Sequence, residues 1–162
     1  MTKLTDAEPT RALTLWQPWA WLVASGHKGV ENRPAGFSHK SFRGNFWIHA
    51  AAESSASIGS WPLAVKLCRE LLGEGFQIPP ARELSFGAIV GRATITGILV
   101  PRGQMFHKPN VSWHFPDQYG FLVEGAVALA EPVPCRGYQG FWTVPPAVVE
   151  ELRRAREGSE TR

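Results

Sequence analysis

Leu13-Thr14-Leu15-Trp16-Gln17-Pro18-Trp19-Ala20, followed after a short gap by Gly26-His27-Lys28-Gly29-Val30-Glu31-Asn32-Arg33, is the stretch on which the fold of this chain turns. Residues 12–15 are an apolar run that reads as a strand ending at Trp16-Gln17-Pro18. A proline is tolerated at the first helical position, where its missing N–H has no partner to lose, so Pro18 can open a helix. Trp19, Leu22 and Val23 then recur at i, i+3 and i+4, and Gly26 is placed to end the helix after about two turns. Residues 30–33 read as extended.

The pattern continues outward from there. Residues 46–50 (Phe46-Trp47-Ile48-His49-Ala50) read as a strand with Phe46 and Ile48 on one face and Trp47 and His49 on the other. Residues 61–72 read as a helix with Ser60 as N-cap, Pro62 in the first turn, Leu63, Leu67 and Leu71 along one face and Gly73 as terminator. Residues 86–100 are rich in Ile, Val and Thr and interrupted by Gly87, Gly91 and Gly97, as expected of a long strand bending around a small barrel. Further strands are expected at 119–124, 126–132 and 140–144, and a last helix at 146–156 that buries Val148, Val149 and Leu152. The chain should therefore be α+β, a small mixed β-barrel with helices packed outside. Residues 1–11 are expected to form a mobile leader, 12–156 a single domain and 157–162 a disordered tail.

A chain of 162 residues with 44% hydrophobic content suffices for one core without metal or disulfide support. No stretch approaches the roughly 20 apolar residues of a membrane span, and the first ten residues lack the charged-then-apolar order of a signal peptide, so a cytoplasmic protein is expected. The two cysteines, Cys68 and Cys135, have no zinc-site spacing. Cys68 shares a helical face with Ala64, which points to a buried structural thiol. Seven tryptophans and nine phenylalanines accompany only 19% charged residues, so most of these rings must be core.

The formal charge of +3 is weak support for nucleic-acid binding, because residues 153–162 alone carry +2 of it. Locally the balance differs. Residues 27–44 hold Lys28, Arg33, Lys40 and Arg43 against Glu31, a net +3 that predicts a basic rim.

The quoted motifs are similar to those of the ASCH family: the strand, the Gln-Pro-Trp helix start, the Gly-x-Lys-x-x-Glu-x-Arg segment, and Arg43-Gly44 leading into Ile48-His49-Ala50. Gly87–Gly91, Tyr119-Gly120-Phe121 and Gly137-Tyr138-Gln139-Gly140-Phe141-Trp142 resemble that family's barrel strands and closing segment, so the resemblance covers roughly residues 12–150. It implies a PUA-like barrel with a cleft between the first helix and the barrel wall. It also implies one of several activities: RNA or modified-base binding, deacetylation of N4-acetylcytidine, ribonuclease action, or a role as an interaction module.

Read as chemistry, Lys28, Glu31 and Arg33 gather two donors and one acceptor just after a helix-ending glycine, groups able to read a base edge. Lys28 either holds phosphate as a point charge or, if desolvated, acts as base or nucleophile with Glu31 as its acid–base partner. A carboxylate beside it should raise its pKa and keep it protonated. The resemblance sharpens this: the deacetylase branch carries Thr three residues after the lysine, where this chain has Glu31. The competing reading is a solvated ion-pair cluster closing a turn. If the triplet lines a cleft, Lys28→Ala and Glu31→Ala should fold normally, cost little stability and lose ligand stabilisation; loss of the fold would favour a structural role.

The expected ligand-binding set is Trp16, Gln17, Trp19, Lys28, Glu31, Arg33, Arg43, His49, Trp113 and His114. The alternative reading of Gln17 is a strand terminator before Pro18, and that of His49 is a satisfied core histidine. The 104–118 loop mixes Phe106, His107, Lys108, Trp113 and His114, suited to stacking on RNA or to plugging the barrel mouth. Neither a metal nor a cofactor is expected. The partner should be RNA or a nucleoside, with no membrane; the role of the Arg-rich C-terminal helix is open. If four cations (Lys28, Arg33, Lys40, Arg43) contact RNA, affinity should fall with salt at a logarithmic slope of about 2 to 3.

Overall fold

The computed structural model describes residues 8–101 and 113–160. Six strands and three helices follow in the order β1 (Arg11–Leu15), α1 (Trp19–Ala24), β2 (Val30–Arg33), β3 (Gly44–Ala50), α2 (Ser55–Leu72), β4 (Ala88–Leu99), β5 (Tyr119–Pro134), β6 (Phe141–Thr143) and α3 (Pro146–Glu160), with a 3₁₀ turn at Ala81–Glu83. The strands form one mixed sheet ordered β2-β5-β4-β3-β1-β6. Only β1 and β3 run parallel. Pairing is broken by register shifts at Ile48/His49 and at three places between β4 and β5, and such bulges increase local twist and bend the sheet into a half-barrel. The expected α+β architecture with helices outside is thus present, with β2 and β6 as the open edges of the sheet.

Alternation within the strands divides the core as the sequence indicated. Leu13, Leu15, Phe46, Ile48 and Ala50 join Ala20, Val23 and Ala24 of α1 in one buried cluster. Ala12 and Trp47 face the opposite side, where Leu152 of α3 is fully buried with them. Each of the Leu, Ile, Val and Phe side chains among these contributes roughly 1.5–3 kcal/mol on burial, the alanines less. A Cβ at Gly91 would lie 2.8 Å from the Val127 carbonyl oxygen and 3.0 Å from Ala24 Cβ, so the absent side chain is what lets α1 lie directly on β4. Gly26, at φ +81°, ends α1 as expected.

Several boundaries differ from the sequence reading. Helix α2 begins six residues earlier than 61, because Ser54 caps it through a reciprocal box with Ser57, while the Ser60 hydroxyl donates back to the Ser57 carbonyl. Pro62 consequently lies inside the helix. Ile58, whose carbonyl Pro62 cannot serve, is exposed, so water can take that place. The buried side of α2 is Ser57, Ala64 and Cys68, and Leu63 faces out. Burial pushes the Cys68 thiol up, consistent with an inert structural residue.

The two strands expected at 119–124 and 126–132 are one, β5, in which Gly125 at φ +61° absorbs the kink while pairing with β4 resumes beyond it. Pro9, within the stretch expected to be a mobile leader, is buried and its carbonyl accepts the Trp47 indole N–H at 2.8 Å. Helix α3 runs to Glu160 rather than stopping at residue 156. No helix among the described residues is long and apolar enough to cross a membrane.

Candidate functional site

The sheet opens between β2 and the β1–β6 edge, and a cleft of about 510 Å³ lies there. Its polar wall comes from β2 and the turn before it. After α1 ends, the N–H groups of His27 and Lys28 both bond the Leu22 carbonyl, which swings the chain back on itself. The Lys28 ammonium then donates to the Val30 carbonyl and reaches Glu31 Oε2 at 3.4 Å. Arg33 approaches the other carboxylate oxygen, Oε1, at 3.2 Å and donates to the Thr14 carbonyl at 2.9 Å. One carboxylate thus bridges two cations, and Arg33 ties β2 to the end of β1. Trp19 lies with its ring centroid 5.5 Å from the Lys28 nitrogen, and Phe37 lies 5.5 Å from the Arg33 guanidinium.

Lys28 and Glu31 are only 3% and 8% exposed. They are therefore a buried pair rather than a solvated cluster, so removing either partner is expected to cost more stability than the sequence reading allowed. Burial lowers the Lys28 pKa from its ordinary value; Glu31 raises it and Arg33 adds a smaller lowering push. The sequence reading weighed the carboxylate and expected a raised value. Desolvation is the larger effect because almost none of the ammonium remains in contact with water.

The remaining candidates divide sharply. Trp16, half exposed at the mouth, and Trp19 line the cleft. Gln17 does not: it is fully buried, donating to the Ser85 carbonyl at 2.8 Å and accepting from the Trp21 N–H at 2.9 Å, a capping role for α1. Arg43 is exposed and closes its own turn by donating to the Lys40 and Phe42 carbonyls. His49 is buried on the far face of β3, between Thr14 Oγ1 at 3.2 Å and the Cys135 carbonyl at 2.9 Å, and burial lowers its pKa. Trp113 is buried against Leu22, Val30, Ala64 and Cys68. His114 bonds the Gln118 carbonyl at 2.7 Å and packs against Gly120. Phe106, His107 and Lys108 lie outside the described residues.

The cleft also holds residues that the sequence reading did not single out: Thr14, Asn32, Phe37, Phe115, Gln118 and Gln139. Phe115 and Gln118 fall in the loop that had been marked as a candidate, whereas nothing in composition or periodicity pointed to Gln139. Asn32 acts as a clamp. Its amide donates to the Trp113 carbonyl and accepts from the Phe115 N–H, both at 2.8 Å, which fixes the Phe115 wall to β2. Among the described residues no group of three His, Cys, Asp or Glu side chains is placed to hold a metal.

A family model described as the ASCH domain matches residues 13–130. The chain belongs to the ASCH domain family. ASCH domains are in general PUA-like RNA-binding modules, and the half-barrel with outer helices agrees with that fold. The ASCH protein of Zymomonas mobilis has a similar crystal structure, with 13% identity and a TM-score of 0.49 over 89% of this chain and 93% of that one. Two point mutants of the same Z. mobilis protein match at 13% and 14% identity, TM-scores 0.49 and 0.47, covering 89% and 91% of this chain and 96% and 98% of theirs. No curated protein matches the chain.

Proposed function

We propose that the cleft of this ASCH domain receives a nucleobase, presented either by single-stranded RNA or by a modified nucleoside. The observation that carries the reading is the combination within one cleft of aromatic faces (Trp16, Trp19, Phe37) and a buried Lys28–Glu31–Arg33 cluster. Flat apolar rings offer a base its stacking partner, worth roughly 1–3 kcal/mol per base, and a polar wall beside them orients it. Beyond the cleft, Lys40 sits 4.9 Å from the Tyr119 ring and Arg43 is exposed, a small basic rim for adjacent phosphates. With Lys28 and Arg33 already paired to Glu31, two of the four cations expected to meet phosphate remain, Lys40 and Arg43, so the salt slope from this set should be about 1 to 1.5 rather than 2 to 3.

A second reading, hydrolysis of an acylated pyrimidine nucleoside or of single-stranded RNA with Lys28 and Glu31 as the acid–base pair, is favoured by one observation: burial lowers the Lys28 pKa and so increases the share of neutral amine. One experiment separates the two. Nucleosides, including N4-acetylcytidine, and short RNAs are scored for thermal stabilisation of the protein and then for products by mass spectrometry. Stabilisation without product supports the binding module; product lost in Lys28→Met supports the enzyme; no stabilisation by any of them removes both.

A further inference from the structure

We propose that Gln118 and Gln139 are the residues that read the edge of the bound base and so set which base the cleft accepts; this rests on the nucleobase reading above. The argument begins with which polar groups of the cleft are already engaged. Both oxygens of Glu31 are taken, one by Lys28 and one by Arg33. Lys28 is nearly sealed from solvent and donates to Val30 and Glu31. Both ends of the Asn32 amide are occupied by the backbone of Trp113 and Phe115. The Thr14 hydroxyl is held between the Trp142 indole N–H at 2.9 Å and His49. These groups shape the cleft with most of their hydrogen-bonding capacity used inside the protein; Arg33, whose contacts to Thr14 and Glu31 both use Nη2, keeps a buried Nε without a partner among the described residues, but a guanidinium can only donate.

Gln118 and Gln139 differ. Both line the cleft, and neither side chain hydrogen-bonds any described residue. Each primary amide offers two donors and one acceptor, the complement of the mixed donor–acceptor edges that tell bases apart. Their backbones are nonetheless fixed. The Gln118 N–H bonds the Phe115 carbonyl at 3.1 Å, and its own carbonyl accepts from His114. Gln139 precedes Gly140, which at φ +67° packs against His39, and His39 Nδ1 accepts the Phe141 N–H at 3.1 Å. Gln118 directly precedes β5 and Gln139 lies just before β6, so two different segments bring a half-buried and an exposed amide to the cleft. They are candidate reading groups on fixed backbone, without a side-chain partner among the described residues. A base entering between them gives up its water and must find its hydrogen bonds there, and a mismatched edge leaves those groups unpaired.

The test measures dissociation constants of AMP, CMP, GMP and UMP for wild type, Gln118→Leu, Gln139→Leu and Gln118→Glu. Because neither side chain bonds any of the described residues, all variants should melt as wild type does. Wild type should prefer one base by about 5- to 100-fold, the discrimination of one or two good amide–base contacts. Each Leu variant should shrink that preference towards equality, and Gln118→Glu, which removes donors but keeps acceptors, should reorder the four. The proposal is overturned if the leucine variants keep the wild-type ratios, if all four ligands weaken by the same factor, or if wild type shows no preference; in each case the nucleobase cleft itself survives. Should none of the four bind wild type, nor any nucleoside or short RNA, the cleft reading fails and takes this inference with it.

Discussion

Lys28 and His49 are both buried, both pushed below their ordinary pKa by burial, and both connected to Thr14, yet their surroundings differ in kind. The Thr14 carbonyl accepts from Arg33, which shares Glu31 with Lys28. The Thr14 hydroxyl faces the other network. A carbonyl only accepts, so His49 Nε2 must carry the proton given to Cys135, its Nδ1 accepts from the Thr14 hydroxyl, and that oxygen accepts from Trp142. The histidine is thereby a neutral core residue with every group satisfied. Lys28 instead keeps an ionic partner at the edge of a cleft. Burial alone therefore does not mark a functional residue; what separates the two is whether the partners are charged and whether the cluster borders open space.

The strongest way to break this contrast is Glu31→Ala, which strands the buried Lys28 and the half-buried Arg33 without their shared counter-ion. The expected loss is about 3–5 kcal/mol, read by denaturant unfolding. A loss below roughly 1 kcal/mol would mean that the cluster is hydrated in solution and that the sequence expectation of a cheap truncation holds.

On the histidine side, Gly137→Ala is the sharpest probe of packing. A Cβ there would meet His49 Nδ1 at 2.6 Å and Thr14 Oγ1 at 2.7 Å. Overpacking of this kind costs typically 1–3 kcal/mol. Thermal unfolding should show that loss, and the variant's ligand affinity should also fall, because Thr14 and Gln139 both line the cleft.

A third experiment compares the pH dependence of the two groups. His49 has a folded pKa below 6.5, so as the pH falls below 6.5 the unfolded chain takes the proton first and folding stability declines. Lys28, lowered from 10.5, has the same sign in an alkaline window: stability is lost as the pH falls from 10.5 towards the folded value. Subtracting the stability–pH curve of Lys28→Met from that of wild type should leave a slope only on the alkaline side. The His49→Gln difference should leave one only on the acid side. Slopes in the reverse windows would overturn the assignment of burial as the dominant cause.

The smallest effect is expected at α3, where Arg153 and Glu150 form an exposed pair at 2.7 Å. Arg153→Ala should leave base or RNA binding unchanged in a titration, since neither residue lines the cleft. Reduced binding would instead give the Arg-rich helix a part in the interface.

How much was legible in the sequence follows from the range of the forces involved. The first strand, the short helix ended by Gly26 and the extended 30–33 segment are set by local rules, namely proline at a helix start, glycine at its end and apolar spacing, so they were readable, as was the inward–outward alternation of residues 46–50. The start of α2 was missed because Ser54 and Ser60 are equally good caps in sequence, and only Ser54 finds its reciprocal partner. Lys28, Glu31 and Arg33 could be nominated from their spacing, but their burial could not, since it depends on Trp19, Phe37 and β5 closing around them. Gln17, His49 and Trp113 carried the same polar and aromatic signals as true cleft residues. Contacts to Ser85, Cys135 and Cys68, distant in the chain, decided that they belong to the core. Sequence by itself determined the family, the strand-and-helix order and the identity of the charged cluster, because these rest on neighbours a few residues apart. Tertiary structure alone decided which polar side chains are already satisfied and which face the cleft, because hydrogen bonding and desolvation are settled by groups that the chain brings together from far away.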